Sequence, residues 1–394
     1  MSSAGGERIG VGLVGHAFMG AVHSHAWRNV HRIFDTPLTP VLAALGGRDE
    51  AKTKAAAAKY GFAAVETDWR DLVARDDVGL VDVCTPGDSH AAIAIAALEA
   101  GKHVLCEKPL ANTVEEAEQM AAAARAAATR GVRSMVAFNY RRVPALAHAR
   151  KLVGDGALGE IRHVRATYLQ DWLSDAQAPM TWRLRKDKAG SGALGDLGAH
   201  IVDAAQFVSG ELITGVSALT NTFVRNRPNE DGSPGEVTVD DTALFLARLS
   251  GGAVASFEAT RYALGRKNAM RLEINGTKAS MAFDFESMNE LWWHDGSAPD
   301  TEAGFRRILV TEPGHRYLGG WWPPGHGLGY DHTFTHEVAD FLTAIGEGTN
   351  PAPSFDDGLC VQQVLHAVET SAADDARWTP VAGTTVSTAT ARRR

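Results

Sequence analysis

Ile9-Gly10-Val11-Gly12-Leu13-Val14-Gly15-His16-Ala17-Phe18-Met19-Gly20 is the stretch that decides the fold. An apolar strand runs into a glycine turn, and a helical pattern over 20–31 follows at once. This is the context a G-x-G-x-x-G loop requires. Glycines allow the tight turn and let a pyrophosphate approach the backbone N–H groups of a helix N-terminus. Ala17 occupies the middle glycine position and brings a methyl to the point of closest approach.

Working outward, apolar runs over 41–45, 78–84, 104–106 and 134–138 alternate with helical stretches over 50–60, 91–100 and 113–129. Gly101 closes one helix, and Asn112 or Thr113 caps the next, with Glu116 in capping-box position for Thr113. Strand–helix alternation of this kind predicts an α/β fold with a doubly wound parallel sheet over 1–143. Near Pro144 the pattern changes. A helix over 144–153 leads into strands over 161–169, 215–224, 242–249, 253–261, 270–275 and 279–283, with hairpin signals at Gly251-Gly252 and Asn275-Gly276. The second domain, 144–394, is expected to be α/β with a large, mainly antiparallel sheet. It includes a helix over 196–208, an ordered Gly/Pro/Trp-rich loop over 319–329 and closing helices over 331–345 and 357–374.

Bulk properties narrow the class. A length of 394 residues favours two domains over one core. A net charge of -8 argues against nucleic acid as a main partner, because phosphate binding needs a basic surface. The basic run Arg392-Arg393-Arg394 reads as a frayed terminus. The first residues lack a secretory apolar core, and no stretch approaches the roughly 18 apolar residues of a membrane span. Cys84, Cys106 and Cys360 are odd in number and lack metal spacing, which points to a reducing, cytoplasmic compartment.

Two constellations carry chemistry. Glu107-Lys108-Pro109 ends an apolar run, so Lys108 is a point charge held in a rigid turn. Asp196 and His200 are four apart on one helix face and can reach one reacting group together. Asp203 continues that face, but no cysteine or further histidine completes a metal set, and none is expected. His23 and His25 face different sides of their helix and do not read as a metal pair. The second strand ends Leu45-Gly46-Gly47-Arg48-Asp49, without the acid that binds the ribose diol in NAD enzymes. Arg48 either meets a 2′-phosphate, stacks on adenine or is solvated, and Asp49 serves only if the register slips. On these residues alone NAD and NADP both stay open.

Further stretches extend the pattern: Cys84-Thr85-Pro86 with His90, Gly101-Lys102-His103-Val104-Leu105-Cys106 before Glu107, Phe138-Asn139-Tyr140-Arg141, Trp182-Arg183, and Gly192-Ala193-Leu194-Gly195-Asp196-Leu197-Gly198-Ala199-His200 with Asp203. On these motifs the chain resembles the Gfo/Idh/MocA family over nearly its whole length. Thr167-Tyr168-Leu169-Gln170-Asp171-Trp172 is most similar to its glycoside, anhydrosugar and inositol dehydrogenases. The resemblance implies a Rossmann domain and an α/β domain whose open sheet forms contacts in a homodimer or homotetramer. It implies NAD as cofactor, with NADP possible, bound by Gly15, Ala17, Phe18, Met19, Gly20, Arg48, Thr85, Pro86, His90, Glu107, Lys108, Asn139, Trp182 and Arg183.

The reaction so implied is oxidation of a ring hydroxyl, typically at C3, in an uncharged sugar or cyclitol. A histidine, with an unperturbed pKa of about 6.5, suits acceptance of the hydroxyl proton. That assigns His200 as base. Lys108 would polarise the carbinol oxygen, and Asp196 would either hold the imidazole or contact the hydroxyl directly. Tyr140, Gln170 and Trp172, together with Lys108, Asp196 and His200, would bind the sugar through an aromatic wall and fixed hydrogen bonds. Trp182 and Arg183 would join that wall or cover the nicotinamide, with Tyr330 and His332 as weaker candidates. Two other readings stay open: cleavage of a glycosidic bond through transient oxidation on tightly bound NAD, and a non-catalytic dinucleotide-sensing regulator.

Overall fold

A computed structural model describes residues 7–384; Arg392-Arg393-Arg394 lies outside the described residues. The chain divides into two compact units, Met1–Arg142 with Gly329–Leu359, and Val143–Leu328 with Cys360–Arg394.

The first unit is built from β1 (Glu7–Val14), α1 (Phe18–Ile33), β2 (Leu38–Gly46), α2 (Glu50–Tyr60), β3 (Ala64–Glu66), α3 (Trp69–Ala74), β4 (Leu80–Val83), α4 (His90–Glu99), β5 (His103–Cys106), α5 (Val114–Ala128) and β6 (Ser134–Val136). Its six strands are parallel and ordered β3-β2-β1-β4-β5-β6, the doubly wound arrangement, with the strand order reversing beside β1. Val11, Leu13, Leu80, Val81, Val104 and Leu105 are fully buried, as expected of strands covered on both faces. β3 and α3 escape a periodicity reading because they are only 3 and 6 residues long. Asp68 starts α3 by accepting the Arg70 N–H at 2.9 Å.

The second unit contains α6 (Pro144–Gly154), β7 (Ile161–Leu169), α7 (Lys186–Ala189), α8 (Ala199–Ser209), β8 (Ile213–Asn221), β9 (Asn226–Pro228), β10 (Pro234–Glu236), β11 (Thr242–Leu249), β12 (Val254–Thr260), β13 (Ala269–Gly276), β14 (Ala279–Asp284), β15 (Glu290–Asp295), β16 (Arg306–Leu309) and β17 (Thr379–Pro380). Nine strands form one sheet, β16-β15-β14-β13-β7-β12-β11-β8-β17. Only β7 and β12 pair in parallel; the other neighbours are antiparallel. The hairpins expected at 251–252 and 275–276 are present, although in the second Gly276 still belongs to β13. A Cβ there would lie 2.1 Å from the Leu158 carbonyl oxygen, which accounts for glycine at a strand end. Alternation along β11 buries Ala243, Phe245 and Ala247 and leaves Leu244 and Leu246 exposed.

After the loop over 319–329, α9 (Tyr330–Glu347) returns to the first unit, and α10 (Phe355–Ala373) follows. The sequence pattern assigns 329–359 to the second domain, whereas the structure puts Gly329–Leu359 in the first unit. Phe334, Val338, Phe341 and Leu342 form one buried stripe of α9 in a core cluster with Ala26, Trp27 and Val30 of α1.

That packing buries Glu337 completely, and neither of its carboxyl oxygens has a hydrogen-bond partner. Desolvation pushes its pKa up to about 8, against the pull of the Arg142 and His23 charges and with the push of Glu107 and Asp82. The folded chain therefore holds a proton that the unfolded chain releases above the ordinary value of 4.5. The stability this proton contributes is whole below that value and is lost as pH rises through about 8. One such proton gives a slope of up to about 1.4 kcal/mol per pH unit in that window. Calorimetric melting from pH 5 to 8.5 should show Glu337→Gln losing less stability than the parent as pH rises. Equal slopes would remove Glu337 from the pH dependence.

Candidate active site

The nucleotide half lies in the first unit. Gly15 adopts a φ of 98°, and a Cβ on it would lie 2.6 Å from the Cys84 carbonyl oxygen. A Cβ on Gly20 would fall 2.0 Å from the Gly15 carbonyl oxygen, so both glycines are sterically required. α1 starts at Ala17 with no side-chain cap and no acid in its first turn, which suits its N–H groups to an anionic ligand. This glycine cradle fits a pyrophosphate. Exposed Phe18 stacks on Tyr330 with ring centroids 6.4 Å apart.

At the end of β2 the geometry explains the missing acid. A Cβ on Gly47 would meet Thr53 Oγ1 at 2.5 Å and the His16 ring at 2.7 Å, so a larger side chain there requires both to move. Thr53 Oγ1 is already 3.2 Å from His16 Nε2. Asp49 accepts the Lys52 N–H at 3.0 Å as the cap of α2, and Arg48 is exposed.

Past β4 and β5, the ring nitrogens of buried His90 lie 2.9 Å from the Thr85 carbonyl oxygen and 3.1 Å from that of Pro109. His90 thereby ties the turn bearing Thr85 and Pro86 to the turn bearing Lys108. Glu107 is buried and turned inward: Oε1 lies 3.0 Å from His23 Nε2, and Oε2 accepts the Lys108 N–H at 3.1 Å. Buried Asn139 donates to Thr333 Oγ1 at 2.9 Å, and buried Tyr140 lies 6.5 Å from Tyr330, ring to ring. His23, Asp82 and Cys84 bring metal-ligand atom types within 4.8 Å of one another. Burial and the Asp82 charge hold the Cys84 thiol protonated, which makes it a poor metal ligand.

The second unit holds Asp196 and His200. The helix expected over 196–208 starts instead with a π turn, Leu194–Gly198, before α8. Such wide turns concentrate at functional sites. Asp240 fixes the approach to it, accepting the Gly192 N–H at 2.6 Å and the Leu194 N–H at 2.8 Å. A Cβ on Gly192 would lie 1.7 Å from the Asp240 carbonyl oxygen. Asp196 pairs at 3.2 Å with the buried Arg261 guanidinium, which also donates to the Gly192 carbonyl at 2.8 Å and lies 5.3 Å from the Trp172 ring. Trp172 donates to Gln170 Oε1 at 3.0 Å, while Gln170 and Tyr168 donate to Asn268 Oδ1 at 2.7 and 2.6 Å. The Tyr168 ring lies 5.8 Å from that of His200. Asp196, His200, Gln170 and Trp172 thus share one network. Trp182 and Arg183 form a separate stacked pair at 4.5 Å, and Asp203 is buried one turn beyond His200.

The sequence reading missed Arg261, Asn268, Tyr168 and Asp240 as site residues. Arg261 carried a signal: Ala255, Phe257 and Ala259 are buried at alternate positions, and the same alternation turns Arg261 inward. Asn268 and Asp240 lie in connecting segments, where no periodicity marks them.

Residues 9–138 match the oxidoreductase family with an NAD-binding Rossmann fold, and residues 146–282 match the GFO/IDH/MocA C-terminal domain. The chain belongs to this family: it is an oxidoreductase with an NAD-binding Rossmann fold. It is 41% identical over 390 residues to levoglucosan dehydrogenase of Pseudarthrobacter phenanthrenivorans, covering 95% of this chain and 98% of that protein. A crystal structure of an oxidoreductase domain protein from Kribbella flavida matches with a TM-score of 0.93 at 64% identity, covering 95% of this chain and 99% of that one. Levoglucosan dehydrogenase in complex with NADH and levoglucosan matches at 0.91 and 42% identity, with the same coverage.

Arg48 is the cation at the end of β2, where no acid opposes a 2′-phosphate. Arg48→Ala should therefore weaken NADPH binding more than NADH binding in paired fluorescence titrations, by about tenfold, or ~1.4 kcal/mol. An equal loss with both would place Arg48 on the shared adenine instead, and no effect on either would assign it to solvent.

Proposed function

We propose that the protein oxidises a secondary ring hydroxyl of an uncharged sugar, anhydrosugar, glycoside or cyclitol to a ketone, at C3 in a pyranose. The observation that carries this reading is the neutral wall formed by Trp172, Gln170, Asn268 and Tyr168 alongside Asp196 and His200. An aromatic face with uncharged hydrogen-bonding groups suits a polyol. A sugar phosphate would call for a cluster of arginines or a helix N-terminus directed at the phosphate, whereas Arg261 is paired with Asp196 and Arg183 with the Trp182 ring. The similarity to levoglucosan dehydrogenase supports an anhydrosugar within that class.

In this reading NAD, when bound, would supply the hydride acceptor. His200 takes the hydroxyl proton, as a neutral imidazole can at physiological pH. Lys108 polarises the carbinol oxygen and stabilises its developing charge. Asp196, fixed by Arg261, accepts a hydrogen bond from the hydroxyl or from the imidazolium that forms. The family resemblance adds Tyr140 as a substrate contact and Trp182 and Arg183 as cofactor contacts.

The remaining expectations rest on separate features. Leu219, Leu244, Leu246 and Val254 are exposed on neighbouring strands β8, β11 and β12, an apolar sheet face suited to a homodimer or homotetramer contact. Among the described residues no helix is long and apolar enough to cross a membrane. Cys84 and Cys106 are buried thiols, which supports a cytoplasmic location.

The test is a screen of NAD reduction over levoglucosan, glucose, simple glucosides, inositols and sugar phosphates. Turnover is expected with the uncharged rings, and activity confined to phosphates or linear alcohols would overturn the pocket reading. In a folded His200→Ala variant, turnover should fall by roughly 10²–10⁴-fold with NADH binding retained. Near-normal turnover would remove His200 from the mechanism.

A further inference from the structure

Three buried side chains of the first unit are unused by this chemistry. His23, on α1 just after the phosphate loop, is 1% exposed; Asp82 on β4 and Glu107 at the end of β5 are 0% and 4% exposed. His23 Nδ1 lies 2.9 Å and 3.1 Å from the two Asp82 oxygens, and Nε2 lies 3.0 Å from Glu107 Oε1. Carboxylate oxygens only accept hydrogen bonds, so both ring nitrogens carry protons and the ring is an imidazolium.

We propose that His23 is a positioning residue: its cation, clamped between Asp82 and Glu107, fixes the turn that carries Lys108.

The inference rests on the reading of Lys108 as the group that polarises the carbinol oxygen. Glu107 reaches Lys108 directly, its second oxygen accepting the Lys108 N–H at 3.1 Å. The chain of contacts therefore runs from α1 through His23 and Glu107 to the backbone of Lys108. Asp82 is held from its other side by the Trp27 indole N–H at 2.7 Å and by the Cys84 thiol at 3.5 Å. Burial lowers the His23 pKa, but the Asp82 carboxylate beside the ring overcomes it and holds the pKa well above the ordinary value. Removing the cation takes from buried Glu107 the charged partner of its Oε1, an unfavourable loss that reorientation towards solvent relieves. Such a reorientation moves Lys108 with it. Because α1 also carries the phosphate loop, one rigid element sets both the pyrophosphate cradle and the Lys108 turn.

His23→Gln keeps the volume and one donor but removes the charge. Two readouts separate positioning from a general structural role. In the apo protein with ¹³C-dimethylated lysines, the Lys108 resonance, identified by its loss in Lys108→Arg, should shift in His23→Gln. In unmodified enzyme, kcat should fall at least tenfold while KM and the NADH dissociation constant stay within threefold, and His23→Gln should add nothing to Lys108→Ala. Should His23→Gln not fold, Asp82→Asn, which weakens the clamp and keeps the ring, should produce a smaller effect in the same direction. An unmoved Lys108 resonance, or losses that add fully in the double variant, would overturn the proposal. If the parent enzyme oxidises no sugar at all, the functional reading fails, whereas the resonance test still decides whether His23 positions Lys108.

Discussion

Buried charge sets the geometry in each unit. A carboxylate taken out of water costs several kcal/mol unless a counter-charge and hydrogen bonds replace the lost solvation. In the first unit Asp82 and Glu107 face that cost at the ends of adjacent strands, and His23 lies between them. In the second, Arg261 is the buried ion and Asp196 the partner that answers it. A buried ion pair is weak evidence for stability, but removing one member is strongly destabilising, so the surviving geometry is narrowly defined. Both clamps end on a residue assigned to chemistry: Glu107 adjoins Lys108, and Asp196 precedes His200 by four positions.

Steric demands of the same severity fix the backbone around these charges. Side chains at Gly15, Gly20 and Gly192 would collide with carbonyl oxygens, so the phosphate loop and the turn leading to Asp196 admit only glycine without rearrangement. Gly47 differs in kind. The obstacle there is the side-chain pair His16 and Thr53, which occupies the space an acid on the ribose would need.

Much of this was legible in the sequence. The strand–turn–helix context of Gly15 to Gly20, the alternation that follows it, and the motifs around Lys108 and His200 gave the doubly wound sheet, the second α/β unit and the family. Local pattern carries such information because it is local physics: period, cap and turn. What it did not carry was long-range. The return of α9 to the first unit depends on Phe334, Val338, Phe341 and Leu342 matching a surface more than 300 residues earlier in the chain, on α1. The polar wall depends on Asn268 meeting Tyr168 and Gln170 across about 100 positions. The short strands β3, β9, β10 and β17 are too brief for alternation to register and exist because a neighbouring strand offers an edge.

The central claim is that hydride leaves a ring carbinol carbon for NAD. Levoglucosan deuterated in turn at each secondary ring carbon, incubated with NAD and the protein, tests it by mass spectrometry of the recovered NADH. The account predicts one additional mass unit in NADH from the C3-labelled sugar alone, with a matching amount of ketone. Sugar consumed without deuterium reaching NADH from any position would contradict it.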